Sequence, residues 1–585
     1  MAFRNANMEE KMPDVQTEIG VKVSGAVKPK KEVKYTFNPP PFASAVEWAG
    51  APIGAANTVT RTKGRTKLHD KVVDKTPGKL EKLLASVEGA IRQSKPQNPL
   101  QHDVIIHGIR VRALTNSPHL FDYWLDNWYS VSEWESTTGQ KPPSEPKILV
   151  YAFGGVENEE EAAYYSRKSN TIVFFNTSYY GQLKSWVLGA VGRVLAEEFG
   201  IHSIHGACVE RNKKGILYIA PTGTGKSTSS YGLMGTPGSR FHSDDWVYVR
   251  YAYRLKNGNL VCPMKITVSG KEAAVGFQVY RWLEENRSKT DAEISGMDLK
   301  GEMVKAKLAD IDFFKSIEAY AYTSEKVFYL RSNLVESFAE TAYPILQSKL
   351  ENCPEVTPAF MEAEKDCIAG VVNRLQNLED GELKKYFRAI EPERLSQLVA
   401  RLYAFDNTRA MLDIKKVFGE DRVYTNPLEP VRLANIMLLK RDFASNDVLQ
   451  SLPLSLFMAK LLIGETPEGK REVAYNAYRA VDDAEEKAFI DRIELQNGGK
   501  VDGSYYDLYA STDGKPDTLY QEFELFRVMH QSAGCYVLNT ILQNDPKLKD
   551  KREAVLKSHA LIAKTLDTQP AELRLTLENY DGFLK

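Results

Sequence analysis

Ile216-Leu-Tyr-Ile-Ala220-Pro-Thr-Gly-Thr-Gly-Lys226-Ser-Thr228 is the stretch on which the reading of this chain turns. Ile216–Ala220 is a short apolar run of the kind that forms a buried strand, and it flows straight into a glycine-rich turn. From Ala220 the spacing is that of GxxxxGK[ST], with alanine in place of the first glycine. Glycines at such spacing let backbone amides converge on phosphate oxygens. The helix that follows adds unpaired N–H groups and its positive dipole end. Thr222, Gly223, Thr224, Gly225, Lys226, Ser227 and Thr228 are therefore the candidate nucleotide-binding residues. Lys226 is expected to reach the β- and γ-phosphates of ATP, or the β-phosphate of ADP, and Ser227 to hold Mg²⁺.

His205-Gly206 precedes the loop and Asp244-Asp245 follows it. In a strand–loop–helix–strand unit both flanking strand ends return beside the phosphates. An imidazole and a carboxylate would then flank the γ-phosphate, as a metal ion or a general base requires. His242 is expected to stand apart from this chemistry, and Asp244 to support Asp245.

The rest of the chain sets the frame. At 585 residues it is too long for one compact core, and the prior is about three domains. Lysine plus arginine (76) and aspartate plus glutamate (77) nearly cancel, so no general basic field draws nucleic acid or anionic lipid. The five cysteines are scattered without a CxxC pair, which argues for reduced thiols rather than a disulfide framework. No stretch approaches about 18 apolar residues, so the expectation is a cytoplasmic protein with no membrane partner.

Residues 1–60, with Pro39-Pro40-Pro41 and a basic run at 28–31, read as a disordered or irregular N-terminal arm. Residues 61–200 read as a mixed α/β domain. It has a helix over Leu80–Ile91, strands at Val104–Ile106, Ile148–Phe153 and Thr171–Phe175, and an amphipathic helix over 185–199. Residues 201–585 read as the phosphate-loop domain, interrupted at about 300–405 by a helical insertion that begins KAKLADIDFFKSIEAYAY. Strands return at Ala434–Leu439 and Cys535–Leu538.

The run IHGACVERNKKGILYIAPTGTGKST…RFHSDDWVYV resembles the shared core of phosphoenolpyruvate carboxykinases and HPr kinases. Asn176–Lys184 (NTSYYGQLK), Asp406-Asn-Thr-Arg409, the stretch Asn435–Gly469, Gly534–Thr540 and Lys549–Arg552 resemble carboxykinase segments and occur in that family's order. Gly64-Arg65-Thr66, followed by Asp70-Lys71, is similar to its GRSPKDK turn. The later segments are absent from the shorter HPr kinases. The resemblance is thus to a divergent ATP-dependent phosphoenolpyruvate carboxykinase. The chain reads APTG where that family has GLSG, and Asp244-Asp245 is followed by Trp246-Val247.

The resemblance implies an α/β, two-domain carboxykinase-like fold with a P-loop mononucleotide core. It also implies conversion of oxaloacetate and ATP to phosphoenolpyruvate, CO₂ and ADP. Lys184, His205 and Asp245 would bind Mn²⁺, and Ser227 the Mg²⁺ of the nucleotide. Arg65, Tyr180 and Arg409 would meet the substrate, with Arg409 also touching the γ-phosphate, and Arg552 would lie near the base or ribose. The alternatives are a hydroxyl kinase resembling HPr kinase, in which Asp245 is the base, and a nucleotide-binding regulatory protein without turnover.

Overall fold

The computed structural model describes residues 55–56, 71–93, 99–176, 180–220, 224–234, 236–315, 317–323, 325–331, 356, 358–378, 382–404, 409–413, 415, 419–463, 484–549 and 551–585. The expected N-terminal arm lies outside them apart from Ala55–Ala56. Two compact units emerge: residues 1–187 with 325–425, and residues 188–324 with 426–585. The chain is mixed α/β, and among the described residues no helix is long and apolar enough to cross a membrane.

The first unit is built on a seven-stranded sheet in the order Lys71–Val72, Ala162–Ser166, Thr171–Phe175, Ile148–Phe153, Ile109–Thr115, Leu100–Ile106, Tyr129–Ser130. Its central strands, Ile148–Phe153 and Thr171–Phe175, run parallel and are buried along their whole length. This is why they read as continuous apolar text rather than alternation. Helix Lys79–Gln93 buries Leu83, Leu84, Val87 and Ala90, a helical spacing, against Leu149, Tyr151, Phe153, Val173 and Phe175. On the other side of the strand, Phe174 meets Trp186 edge-on at 6.0 Å.

Residues 325–425 belong to this unit. Helices Pro358–Ala363, Lys365–Gln376, Glu382–Arg388 and Pro392–Ala404 bear out helical text there. The earlier half of the expected insertion is different. Met303–Lys307 and Glu318–Thr323 are strands, not helix. Glu318–Thr323 is wedged between Val247–Arg254 and Val431–Lys440. With neighbours on both edges, its Ala-Tyr-Ala-Tyr text is held extended whatever the helix propensity of alanine.

The second unit is a branched sheet of fourteen described strands. Its main path runs Ser239–Ser243, Gly206–Arg211, Lys214–Ile219, Val431–Lys440, Glu318–Thr323, Val247–Arg254, Leu260–Val268, Ala292–Met297, Met303–Lys307. Lys214–Ile219, Val431–Lys440 and Gly534–Asn539 are parallel neighbours. Their shared carboxyl edge is the kind of place where α/β sheets bind ligands.

Candidate phosphate-loop site

The loop leaves strand Lys214–Ile219 at Ala220, which is fully buried, and returns as helix Lys226–Leu233. Gly225, immediately before Lys226, has φ +103°, a conformation that L side chains rarely adopt. The glycine in the motif therefore has a backbone reason.

Sheet pairing explains why His205 and Asp245 meet. His205 sits between strands His202–Ile204 and Gly206–Arg211, and Asp245 between Ser239–Ser243 and Val247–Arg254. Ile204 pairs with Val247 on one side of this crossing, and Cys208 with Ser243 on the other. Both junctions are thereby held face to face. Gly206 pairs with Ile219, the last strand residue before the loop. A β-carbon at Gly206 would stand 2.8 Å from the Tyr218 carbonyl oxygen, so the strands close here only over glycine.

Three polar side chains converge as a result. His205 Nε2 lies 3.1 Å from Asp245 Oδ1, and Lys226 Nζ lies 3.3 Å from the same oxygen. A carboxylate only accepts, so both nitrogens donate in this arrangement. The exposures of the three side chains are 11%, 14% and 8% for His205, Asp245 and Lys226, low enough that the charges interact with little screening by water. Trp246 covers the imidazole, with ring centroids 5.5 Å apart.

His242 is buried, with Nδ1 3.1 Å from Ser243 Oγ, and burial pushes its pKa down to about 3. Burial raises the Cys208 thiol far above its usual range, so it stays un-ionised. Cys262 and Cys535 are likewise buried free thiols, and Cys367 is exposed.

Lys184 lies in the first unit, on helix Tyr180–Phe199, whereas His205, Lys226 and Asp245 lie in the second. Its Nζ is 2.6 Å from Glu325 Oε1, both side chains being only 5% exposed. A lysine can ligate a metal only as the neutral amine, and a buried carboxylate at this distance favours the ammonium. In this conformation Lys184 is an ion-pair partner. Among the described residues no group of three His, Cys, Asp or Glu side chains converges as a metal cluster. His205 and Asp245 supply two adjacent donors.

Arg65, Thr222 and Gly223 lie outside the described residues, as do the side chains of Tyr180, Ser227, Thr228, Arg409 and Arg552. Tyr180 opens helix Tyr180–Phe199, and Arg552 lies in the first turn of helix Lys551–Thr568. Arg409 opens strand Arg409–Asp413, where it pairs with Arg331. Thr224 is buried, and its carbonyl lies 3.4 Å from the Thr540 hydroxyl. Thr540 and the adjacent Arg441 are the site residues that motif reading missed. Each directly follows a strand on the carboxyl edge and lies in a family-like segment, but nothing in those segments singled it out.

No protein-family model matches the chain, and no curated protein matches it in sequence.

Proposed function

We propose that the second unit binds MgATP at the Ala220–Thr228 loop and that the chain transfers the γ-phosphoryl group. The convergence of His205, Lys226 and Asp245, from three separated stretches, is the observation that supports this reading. Lys226 would exchange the Asp245 carboxylate for β- and γ-phosphate oxygens, neutralising charge that develops during transfer. Asp245, released from the ammonium, and His205 would then face the reacting end of the nucleotide. These two would also hold a divalent cation, with Mn²⁺ the expected ion. Such a cation would polarise the oxygen of the phosphoryl acceptor.

With the family resemblance added, the acceptor is the enolate left by decarboxylation of oxaloacetate, and the product is phosphoenolpyruvate. Arg65 and Arg409 would clamp the substrate carboxylates through their planar forks. The buried Lys184–Glu325 pair favours a second reading, a kinase acting on a hydroxyl, because a decarboxylating site of the carboxykinase kind needs Lys184 neutral.

The deciding experiment supplies ADP, bicarbonate, phosphoenolpyruvate and Mn²⁺, and couples oxaloacetate formation to malate dehydrogenase. The carboxykinase reading expects turnover that Lys226→Ala abolishes while the protein remains folded. Turnover unaffected by that substitution would remove the loop from the mechanism.

A further inference from the structure

We propose that Arg441 is a second cationic contact for the polyphosphate at this loop, and that Thr540 positions it. The inference rests on the nucleotide reading above and names a residue that the motif does not contain.

Sheet register brings both residues to the loop. Ile219 pairs with Leu438, and Lys440 with Asn539, so the residues leaving the latter two strands arrive where the loop begins. A β-carbon on Gly225 would lie 3.8 Å from Arg441 Nη2 and 3.8 Å from Thr540 Cγ2. The guanidinium thus stands against the residue that immediately precedes Lys226.

Its mount is rigid. Buried Asn539 clamps the Asp442 backbone, accepting from Asp442 N at 2.8 Å and donating to Asp442 O at 2.9 Å. Thr540 N donates to Lys440 O at 2.8 Å. The Thr540 hydroxyl accepts from Arg441 Nε at 3.4 Å and has the carbonyls of Lys440 and Thr224 at 3.2 and 3.4 Å as acceptors. One hydroxyl therefore ties the arginine to the backbone of the phosphate loop.

Charge accounting then singles out Arg441. Lys226 shares Asp245, and Lys440 lies 3.4 Å from Asp442. Among the described residues no carboxylate forms an ion pair with Arg441. It is half-buried, and a guanidinium keeps its charge at any working pH. Among the described residues at this loop, Arg441 therefore brings a positive charge that no carboxylate pairs, with a planar fork suited to phosphate oxygens.

Calorimetric titration with MgATP and with inorganic tripolyphosphate tests this on the full chain. Arg441→Gln should weaken both about 10- to 100-fold, the range for losing a charge-assisted contact. The affinity should also become less sensitive to ionic strength. Thr540→Val leaves the charge but removes its tether, and should weaken MgATP about fivefold, a smaller share of the same contact. Thr540→Ser should restore it. Wild-type affinity in both Arg441→Gln and Thr540→Val, alongside loss of binding in Lys226→Ala, overturns the assignment and leaves the nucleotide reading standing. Failure of the unaltered protein to bind either ligand removes both.

Discussion

His205 and His242 show how their surroundings sort identical side chains. His205 keeps a carboxylate partner at the loop, whereas His242 is sealed in the core with its pKa pushed down to about 3. For His242 the fold favours the neutral imidazole, since the folded value lies below the ordinary 6.5. Between these two values only the unfolded chain takes up the proton. Its contribution is fully present above about pH 6.5 and is lost as pH falls toward 3, at ~1.4 kcal/mol per pH unit. From about pH 7.5 to 5 this one group should therefore cost roughly 2 kcal/mol. Urea unfolding at the two pH values should show His242→Asn losing less stability than the parent, by about that amount. Equal losses would mean that the acid sensitivity comes from other groups. Sequence spacing alone sufficed to nominate His205, Lys226 and Asp245, because each borders the loop in the chain. Arg441 was illegible because it reaches the loop only through the pairing of distant parallel strands.

Elements show the same split between local and distant causes. Helix Lys79–Gln93 and strands Ile148–Phe153 and Thr171–Phe175 were readable because their apolar text is decided by one or two close neighbours. Glu318–Thr323 was not, because its two partners come from residues 247–254 and 431–440. The phosphate-loop helix Lys226–Leu233 carries a similar hidden constraint where it packs on helix Lys551–Thr568. A β-carbon at Gly232 would fall 1.6 Å from Cε1 of His559, whose side chain is itself buried. Alanine is favoured over glycine inside a helix by about 1 kcal/mol, so an open site would gain stability from Gly232→Ala. Here overpacking opposes it, typically by 1–3 kcal/mol, and a buried ring has little room to swing aside. We expect Gly232→Ala to lower the melting temperature and to weaken MgATP binding by displacing the helix. Adding His559→Ala should recover part of both. A single substitution that stabilises the protein would show that the two helices separate freely.

At the scale of the whole molecule, the candidate residues fall into two sets that follow the two units. Thr222–Thr228, His205, Asp245, Arg441, Thr540 and Arg552 belong to the second unit; Arg65, Tyr180, Lys184 and Arg409 belong to the first. If phosphoryl transfer to an oxaloacetate-derived enolate is the reaction, the first set handles the nucleotide and the second the carboxylates. The two sets should then separate experimentally. Arg409→Gln removes a fork expected to meet both a substrate carboxylate and the γ-phosphate. Losing such a transition-state contact costs about 2–4 kcal/mol, or roughly 30- to 1000-fold in turnover. MgATP affinity should change little if, as proposed, loop amides, Lys226 and Arg441 supply most of that binding. Lys226→Ala should differ, removing nucleotide binding along with turnover. The measurement is a paired one, MgATP titration and the oxaloacetate–phosphoenolpyruvate assay on the same two variants. If Arg409→Gln instead weakens MgATP as severely as Lys226→Ala does, Arg409 belongs to the nucleotide set and the division of labour is wrong. A protein that never interconverts oxaloacetate and phosphoenolpyruvate, yet phosphorylates a hydroxyl in an Asp245-dependent way, would be the kinase to which the Lys184–Glu325 pair points.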